Sequence, residues 1–188
     1  AVVALSLNCF QGSLPVGICD AKELQGASMD GLGAAHGCAH SYSMPFTNIA
    51  LFNKLEGSIP NCVFSMPNLK FLHMSGNGLT GTLAQIPDSS KLEYIHIAHN
   101  QITSTIPLSY QEHYFTDLDL SYNKITGEYK QPLFVNNATS AITLEINRLS
   151  GTLDLTLEDA PDLNILRDNI YSCDHLPRND PNYDRYTC

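Results

Sequence analysis

The sequence has little charge, and most of it is of one sign. Only 15% of its 188 residues are Asp, Glu, Lys or Arg, and the 19 acids outnumber the 10 bases, for a formal net charge of −9. That balance disfavours nucleic acid or an anionic membrane as a partner. Long apolar runs are also missing. None approaches the ~20 residues of a membrane span, and the opening AVVALSL is too short for a signal-peptide core and has no basic flank. The numbering therefore starts after processing or inside a longer chain.

The usual chemical motifs are absent as well. There is no GxSxG elbow for a serine nucleophile, no HExxH, no glycine-rich phosphate cradle and no twelve-residue calcium loop. The six cysteines form no CxxC and no Cys/His zinc spacing. Two short stretches imitate motifs. Asp117-Leu118-Asp119 has the form DxD, and residues 158–162 read EDAPD. The first reads as strand alternation and the second as an acidic loop. These absences predict that the chain is not an enzyme and needs no cofactor or resident metal.

What is present is a repeat. Aligned on an asparagine, the chain shows apolar residues at positions −5 and −3, then at +2 and +6, with glycine at +4. FLHMSGNGLTGTL carries Leu72, Met74, Asn77, Leu79, Gly81 and Leu83. YIHIAHNQITSTIP carries Ile95, Ile97, Asn100, Ile102 and Ile106, with Ser104 in the glycine slot. DLDLSYNKITGEY and AITLEINRLSGTL repeat the pattern around Asn123 and Asn147, and the first residues repeat it around Asn8. Two copies are irregular: one has Leu32 in the asparagine slot, and the copy of Asn53 has a strand one residue short. A partial copy surrounds Asn169. Successive copies are 21 to 24 residues apart, the period of a leucine-rich repeat.

The slots have physical reasons. Alternating apolar residues make a short strand with one inward face. The asparagine side chain satisfies backbone groups of neighbouring coils that water cannot reach, so Asn8, Asn53, Asn77, Asn100, Asn123, Asn147 and Asn169 are expected to form a structural ladder. Glycine permits a sharp bend. One coil cannot bury its apolar side alone, whereas stacked coils share a core. The expected fold is an α/β-type repeat solenoid. It is a right-handed superhelix of about eight coils with a parallel concave β-sheet and few regular helices. Residues 1–170 form the solenoid and 171–188 a C-terminal cap.

The copies resemble the plant-type leucine-rich repeat, LxxLxxLxLxxNxLTGxIP, most closely in LKFLHMSGNGLTGTL (residues 69–83) and LEGSIP (55–60). The ending NIYSCDHLPRNDPNYDRYTC resembles the cysteine-bearing cap of such ectodomains. SMDGLGAAHGC and the tail are similar to leucine-rich-repeat surface proteins of algal, diatom-like lineages. The resemblance implies a second, outer strand in each coil. It also implies kinship with receptor-kinase ectodomains and polygalacturonase-inhibiting proteins, which bind peptides, proteins or cell-wall glycans. On this reading the chain is a secreted or cell-surface module that recognises a protein, peptide or glycan on its concave face. The rivals are end-to-end assembly into an extracellular fibre or coat, and inhibition of a wall-degrading hydrolase.

The even cysteine count and the sequon at Asn137 agree with an extracellular setting. Cys173 and Cys188 bracket a 14-residue loop, and closing it stabilises by roughly 3 kcal/mol in the chain-entropy model. Cys38 and Cys62 stand about one repeat apart and are paired on that ground, which leaves Cys9 with Cys19. The first coil has no lid over Val3 and Leu5, so it is expected to meet upstream residues or another copy.

Within each strand, positions −6, −4 and −2 face outward on the concave side. Equal positions stack into columns, in which the third copy contributes Thr47, Ile49 and Leu51. Mid-sheet, Phe71 and Tyr94 form an aromatic platform. His73, His96 and Asp119 form a polar file beside it, and Asp117, Ser121 and Glu145 add polar and acidic groups. These eight residues are the expected ligand site, because aromatics flanked by carboxylates suit sugars or basic peptides. The two imidazoles and Asp119 are also ligand types that zinc accepts. The bland alternative is a solvated sheet with no ligand.

Overall fold

The computed structural model describes the chain apart from residues 7, 9, 32–38, 45–46, 53, 129–139, 154–161, 175, 177, 179 and 187–188, with the side chains of 39–44 and 47–52 also left out. Among the described residues, fifteen short strands carry the fold. Seven of them form one parallel sheet, in the order β1 (Val2–Ala4), β3 (Gly26–Ser28), β7 (Phe71–His73), β9 (Tyr94–His96), β10 (Asp117–Asp119), β12 (Ala141–Thr143) and β14 (Asp162–Asn164). The opposite edge of the coils carries two three-stranded parallel sheets. One is β2 (Gly12–Ser13), β6 (Leu55–Ser58) and β8 (Gly78–Thr80). The other is β11 (Thr126–Glu128), β13 (Arg148–Gly151) and β15 (Ile170–Tyr171). Residues 101–105 join the two through Gln101 N–H to Leu79 O, Thr103 N–H to Gly81 O, Lys124 N–H to Ile102 O and Thr126 N–H to Ser104 O. The molecule is a solenoid of stacked coils with almost no helix, the one α-turn being α1 (Leu108–Gln111) among the described residues.

The middle residue of each inner strand points into the core. Ala27, Leu72, Ile95, Leu118, Ile142 and Leu163 stack in register, each at most 2% exposed. Three residues is the useful strand length here, because the coil must turn immediately afterwards. The turn is made by the residue before the ladder asparagine. Gly76, His99, Tyr122, Ile146 and Asp168 all have left-handed backbone conformation, with φ between 51° and 71°. For a β-branched residue such as Ile146 that is strained. The glycines four residues after the asparagine are left-handed too; at Gly127 φ is 91°, and a Cβ would lie 2.8 Å from Thr105 Cγ2.

The ladder explains why the asparagines recur. Asn100 Nδ2 donates to Met74 O of the preceding coil and to Ile97 O and Ala98 O of its own, while its Oδ1 accepts from Leu79 N–H. Asn77, Asn123, Asn147 and Asn169 repeat this, with Oδ1 accepting from Leu55, Ile102, Ile125 and Leu149 respectively. Among the described residues, Asn8 bonds to Leu5 O and Ser6 O of its own coil, and it is exposed. Asn53 lies outside the described residues.

The expectation of eight coils is corrected by one strand. Residues 47–52 do not join the concave sheet; they form β5 (Thr47–Phe52), antiparallel to β4 (Ala39–Met44). β3 pairs directly with β7 instead, so Asp30 and the Ser75 N–H that it accepts from are 45 residues apart, where Lys70 and Glu93 on the next pair of coils are 23 apart. The two irregular repeat copies are thus halves of a single coil. The Leu32 copy supplies its inner strand and the Asn53 copy its outer strand, β6, with a hairpin between them. Thr47, Ile49 and Leu51 therefore leave the concave columns.

The expected cysteine pairing is corrected as well. The observed disulfide is Cys19–Cys62, between the 3-10 turns Val16–Asp20 and Asn61–Ser65 of consecutive coils, with Cα atoms 5.9 Å apart. The expected pairs Cys38–Cys62 and Cys9–Cys19 are both excluded by it; Cys9 and Cys38 themselves lie outside the described residues. Cys173 is disulfide-bonded, but Cys188, its expected partner, lies outside them as well.

At the C-terminal end the cap closes the sheet through a residue the repeat pattern does not contain. Asp180 is 3% exposed, and its Oδ2 accepts from Ile165 N–H at 2.6 Å and Leu166 N–H at 3.0 Å. Elsewhere the equivalent amide finds the next strand, as Met74 N–H finds His96 O. Asp180 stands in for a missing strand. Tyr186 OH adds donation toward Asn169 O and Tyr171 O.

Candidate functional site

The concave strands have outer–inner–outer alternation, so residues 71, 73, 94, 96, 117 and 119 share one face of three adjacent strands. Phe71 and Tyr94 are register partners and stack with ring centroids 5.1 Å apart and planes 27° apart. Phe71 also lies over Gly26, where an added Cβ would meet its Cδ2 at 3.2 Å. One position along each strand, His73 and His96 stack more closely, at 4.3 Å and 11°.

His96 Nε2 is 2.9 Å from Asp117 Oδ2. Hydrogen bonding to Asp117 is the largest influence on the His96 pKa and raises it, with the carboxylate's charge adding to this, against an opposing effect of burial. Burial, and then the neighbouring His96, lowers that of His73. Adjacent imidazoles are thereby pushed in opposite directions, because two protonated rings in contact repel.

His73, His96 and Asp119 lie in one file across neighbouring strands. Asp119 is the register partner of His96, but its Oδ1 is taken by Ser121 N–H at 3.0 Å and Ser121 Oγ–H at 2.6 Å. The diagonal residue, Asp117, reaches the ring. Ser121 is 4% exposed, so it braces Asp119 and does not present its hydroxyl to a ligand. Glu145 is largely covered and lies 3.7 Å from Arg167 Nη1. The parallel planes of His73 and His96 also bear on the metal reading. Imidazole lone pairs lie in the ring plane, so two stacked rings cannot both aim at one ion about 2.0–2.1 Å away. Among the described residues, no group of three or more His, Cys, Asp or Glu side chains is arranged to hold a metal.

Two features were missed in the sequence. Asp30 Oδ1 accepts from Ser75 N–H across the irregular coil, and the carboxylate lies beside Ser6 and Ser28 near His73. His99 and Tyr122, both in the left-handed turn slot, stack at 3.9 Å and 17° on the margin of the face. The equal repeat positions of His99 and Tyr122 were a readable signal. The sequon at Asn137 lies outside the described residues.

Leucine-rich-repeat family models match residues 68–89, 91–112 and 112–128. The fold is a leucine-rich-repeat solenoid. Among solved structures it is similar to PEPR1 in complex with AtPEP1, at 19% identity and a TM-score of 0.66, over 90% of this chain and 21% of that one. It is also similar to the Arabidopsis receptor kinase HAESA in complex with the peptide hormone IDA and the co-receptor SERK1, at 22% identity and a TM-score of 0.59, over 86% and 24%. A TDR receptor matches at 22% and 0.57, over 90% and 31%. The chain thus spans between about a fifth and a third of the length of these structures, and at such identities the likeness is one of fold. No curated protein sequence matches the chain.

Proposed function

We propose that the chain is an extracellular recognition module that binds a peptide or protein segment along its concave sheet. The observation that carries this reading is the pair of stacks at mid-sheet, Phe71 on Tyr94 and His73 on His96, with Asp117 beside them. Cross-strand ring stacks stabilise a sheet modestly by themselves, and flat aromatic surface with adjacent polar groups is also what binding sites use. The receptor kinase HAESA, similar in fold and bound to the peptide hormone IDA, supports the peptide class. The Cys19–Cys62 bridge supports an oxidising, extracellular setting.

The test is a peptide selected from a random library on the intact chain and fitted with a photoreactive group. Cross-links to β7, β9 and β10, lost when Phe71 and Tyr94 are both changed to Ala, are the expected result. Cross-links confined to the outer sheets sink the proposal. A glycan array run on the same protein separates the sugar reading, and an inhibition assay separates the hydrolase-inhibitor reading.

A second reading rests on the first coil. Val2, Val3 and Phe10 are exposed there, at 64%, 37% and 47%, and β1 pairs on one side only. An unpaired, apolar strand edge favours end-to-end association. Sedimentation that stays monomeric at high concentration removes that reading.

A further inference from the structure

One column of the concave sheet reads Phe71, Tyr94, Asp117, Ala141 and Asp162, all register partners on successive strands, which stand about 4.8 Å apart. Stacking with Phe71 uses one face of the Tyr94 ring. The other face is turned along the column toward Asp117. Beyond Asp117 comes Ala141, whose methyl group fills little space, and then Asp162, which is exposed.

The charge of the face is one-sided. Asp30, Asp117, Asp119, Glu145 and Asp162 belong to it. Among the described residues its fixed cation is Arg167, which lies near Glu145. Lys70, at the rim, is already paired with Glu93 at 2.9 Å. A cation laid on an aromatic face is attracted by the ring, more as water is excluded, and a carboxylate one strand away adds to that attraction.

We infer that the concave face takes the cationic side chain of a peptide, Arg or Lys, laid against Tyr94 with its charge at Asp117. This rests on the concave-face reading above and specifies the ligand's chemistry. Planar guanidinium suits the slot better than ammonium, since it stacks and still donates to a carboxylate. His96 is the built-in competitor, because its Nε2 holds Asp117 Oδ2 at 2.9 Å. The groups facing His96 are His73 on β7, Asp117 and Asp119 on β10, and Asp30. Loss of the His96 proton frees Asp117, so binding strengthens as pH rises through the raised His96 pKa.

The experiment is selection from a random dodecapeptide display library on the intact chain, followed by titration of the selected peptides. The expected result is a shared Arg or Lys. Affinity should fall at least tenfold in Tyr94→Ala and in Asp117→Asn, and equally when the peptide's Arg is replaced by citrulline. The citrulline arm leaves the protein untouched, so it decides the matter even if Asp117→Asn folds poorly. In His96→Gln the pH dependence should disappear. Selected peptides without Arg or Lys that still depend on Phe71 and Tyr94 overturn the cation and leave concave recognition standing. Selected peptides indifferent to both aromatic residues, or no selected peptide at all, overturn both.

Discussion

His73 and His96 lie ring on ring, 4.3 Å apart and 11° from parallel, on neighbouring strands of the concave sheet. One leans toward protonation because Asp117 is beside it; the other leans away because burial and its protonated neighbour oppose a second charge. The pair can carry one proton readily and two only at a cost.

That asymmetry fixes a pH dependence of stability. His96 has a raised folded pKa, so its contribution is fully present below the ordinary imidazole value of 6.5 and is lost as pH rises through the folded value. His73 has a lowered one, so its contribution is present above 6.5 and is lost as pH falls through the folded value. Urea midpoints measured across this range should show His73→Gln losing less stability on acidification than the parent. His96→Gln should lose less on the alkaline side. Parallel curves for all three proteins would mean that the stack does not couple to folding. Both rings are partly exposed, so solvent screening keeps the effect small.

Asn100→Ala should destabilise by more than a typical surface change. It removes donors to Met74 O, Ile97 O and Ala98 O and leaves the Leu79 N–H without its acceptor in a buried place. Leaving buried backbone groups unpaired costs about 1–3 kcal/mol each. Asn8→Ala, at the exposed end, should cost far less. Equal shifts in melting temperature for the two variants would contradict the ladder as the origin of the stability.

Asp180→Ala should loosen the C-terminal end first. Ile165 and Leu166 lose the acceptor for their amides, a loss of roughly 1.5–3 kcal/mol for each bond to a charged group. Hydrogen exchange should accelerate at β14 and β15 before it does at β9. Uniform acceleration along the solenoid, or none, would show that Asp180 does not seal the edge.

Tyr110→Phe should be neutral or stabilising by up to about 1–3 kcal/mol. The Tyr110 hydroxyl is buried between Phe64 and Phe115 and has no hydrogen-bond partner, and burial pushes its pKa far upward. Removing an unsatisfied hydroxyl while keeping the ring keeps the packing and drops the desolvation cost. A drop of more than 1 kcal/mol in chemical denaturation would argue against this account.

The chain by itself determined the solenoid, because its constraints are local and repeated. An apolar alternation, an asparagine and a glycine at fixed offsets specify strand, turn and bend within one coil, and each coil needs only its neighbours. The aromatic and histidine columns followed from equal offsets, and the stacks at Phe71–Tyr94 and His73–His96 are where those offsets put them.

Tertiary structure alone decided whatever departs from the period. Two weak copies fused into one coil because β3 found β7 as its partner and left residues 39–52 to pair with each other. The disulfide joins Cys19 to Cys62. His96 met Asp117 on the diagonal, while Ser121 holds the carboxylate of Asp119, the register partner of His96. Asp180 became the edge seal because the last strand's amides had no further strand to meet. A repeat pattern describes what each coil shares with the next. It is silent on which coil is interrupted, which neighbour wins a shared carboxylate and what closes the end, since those depend on contacts between residues far apart in the chain.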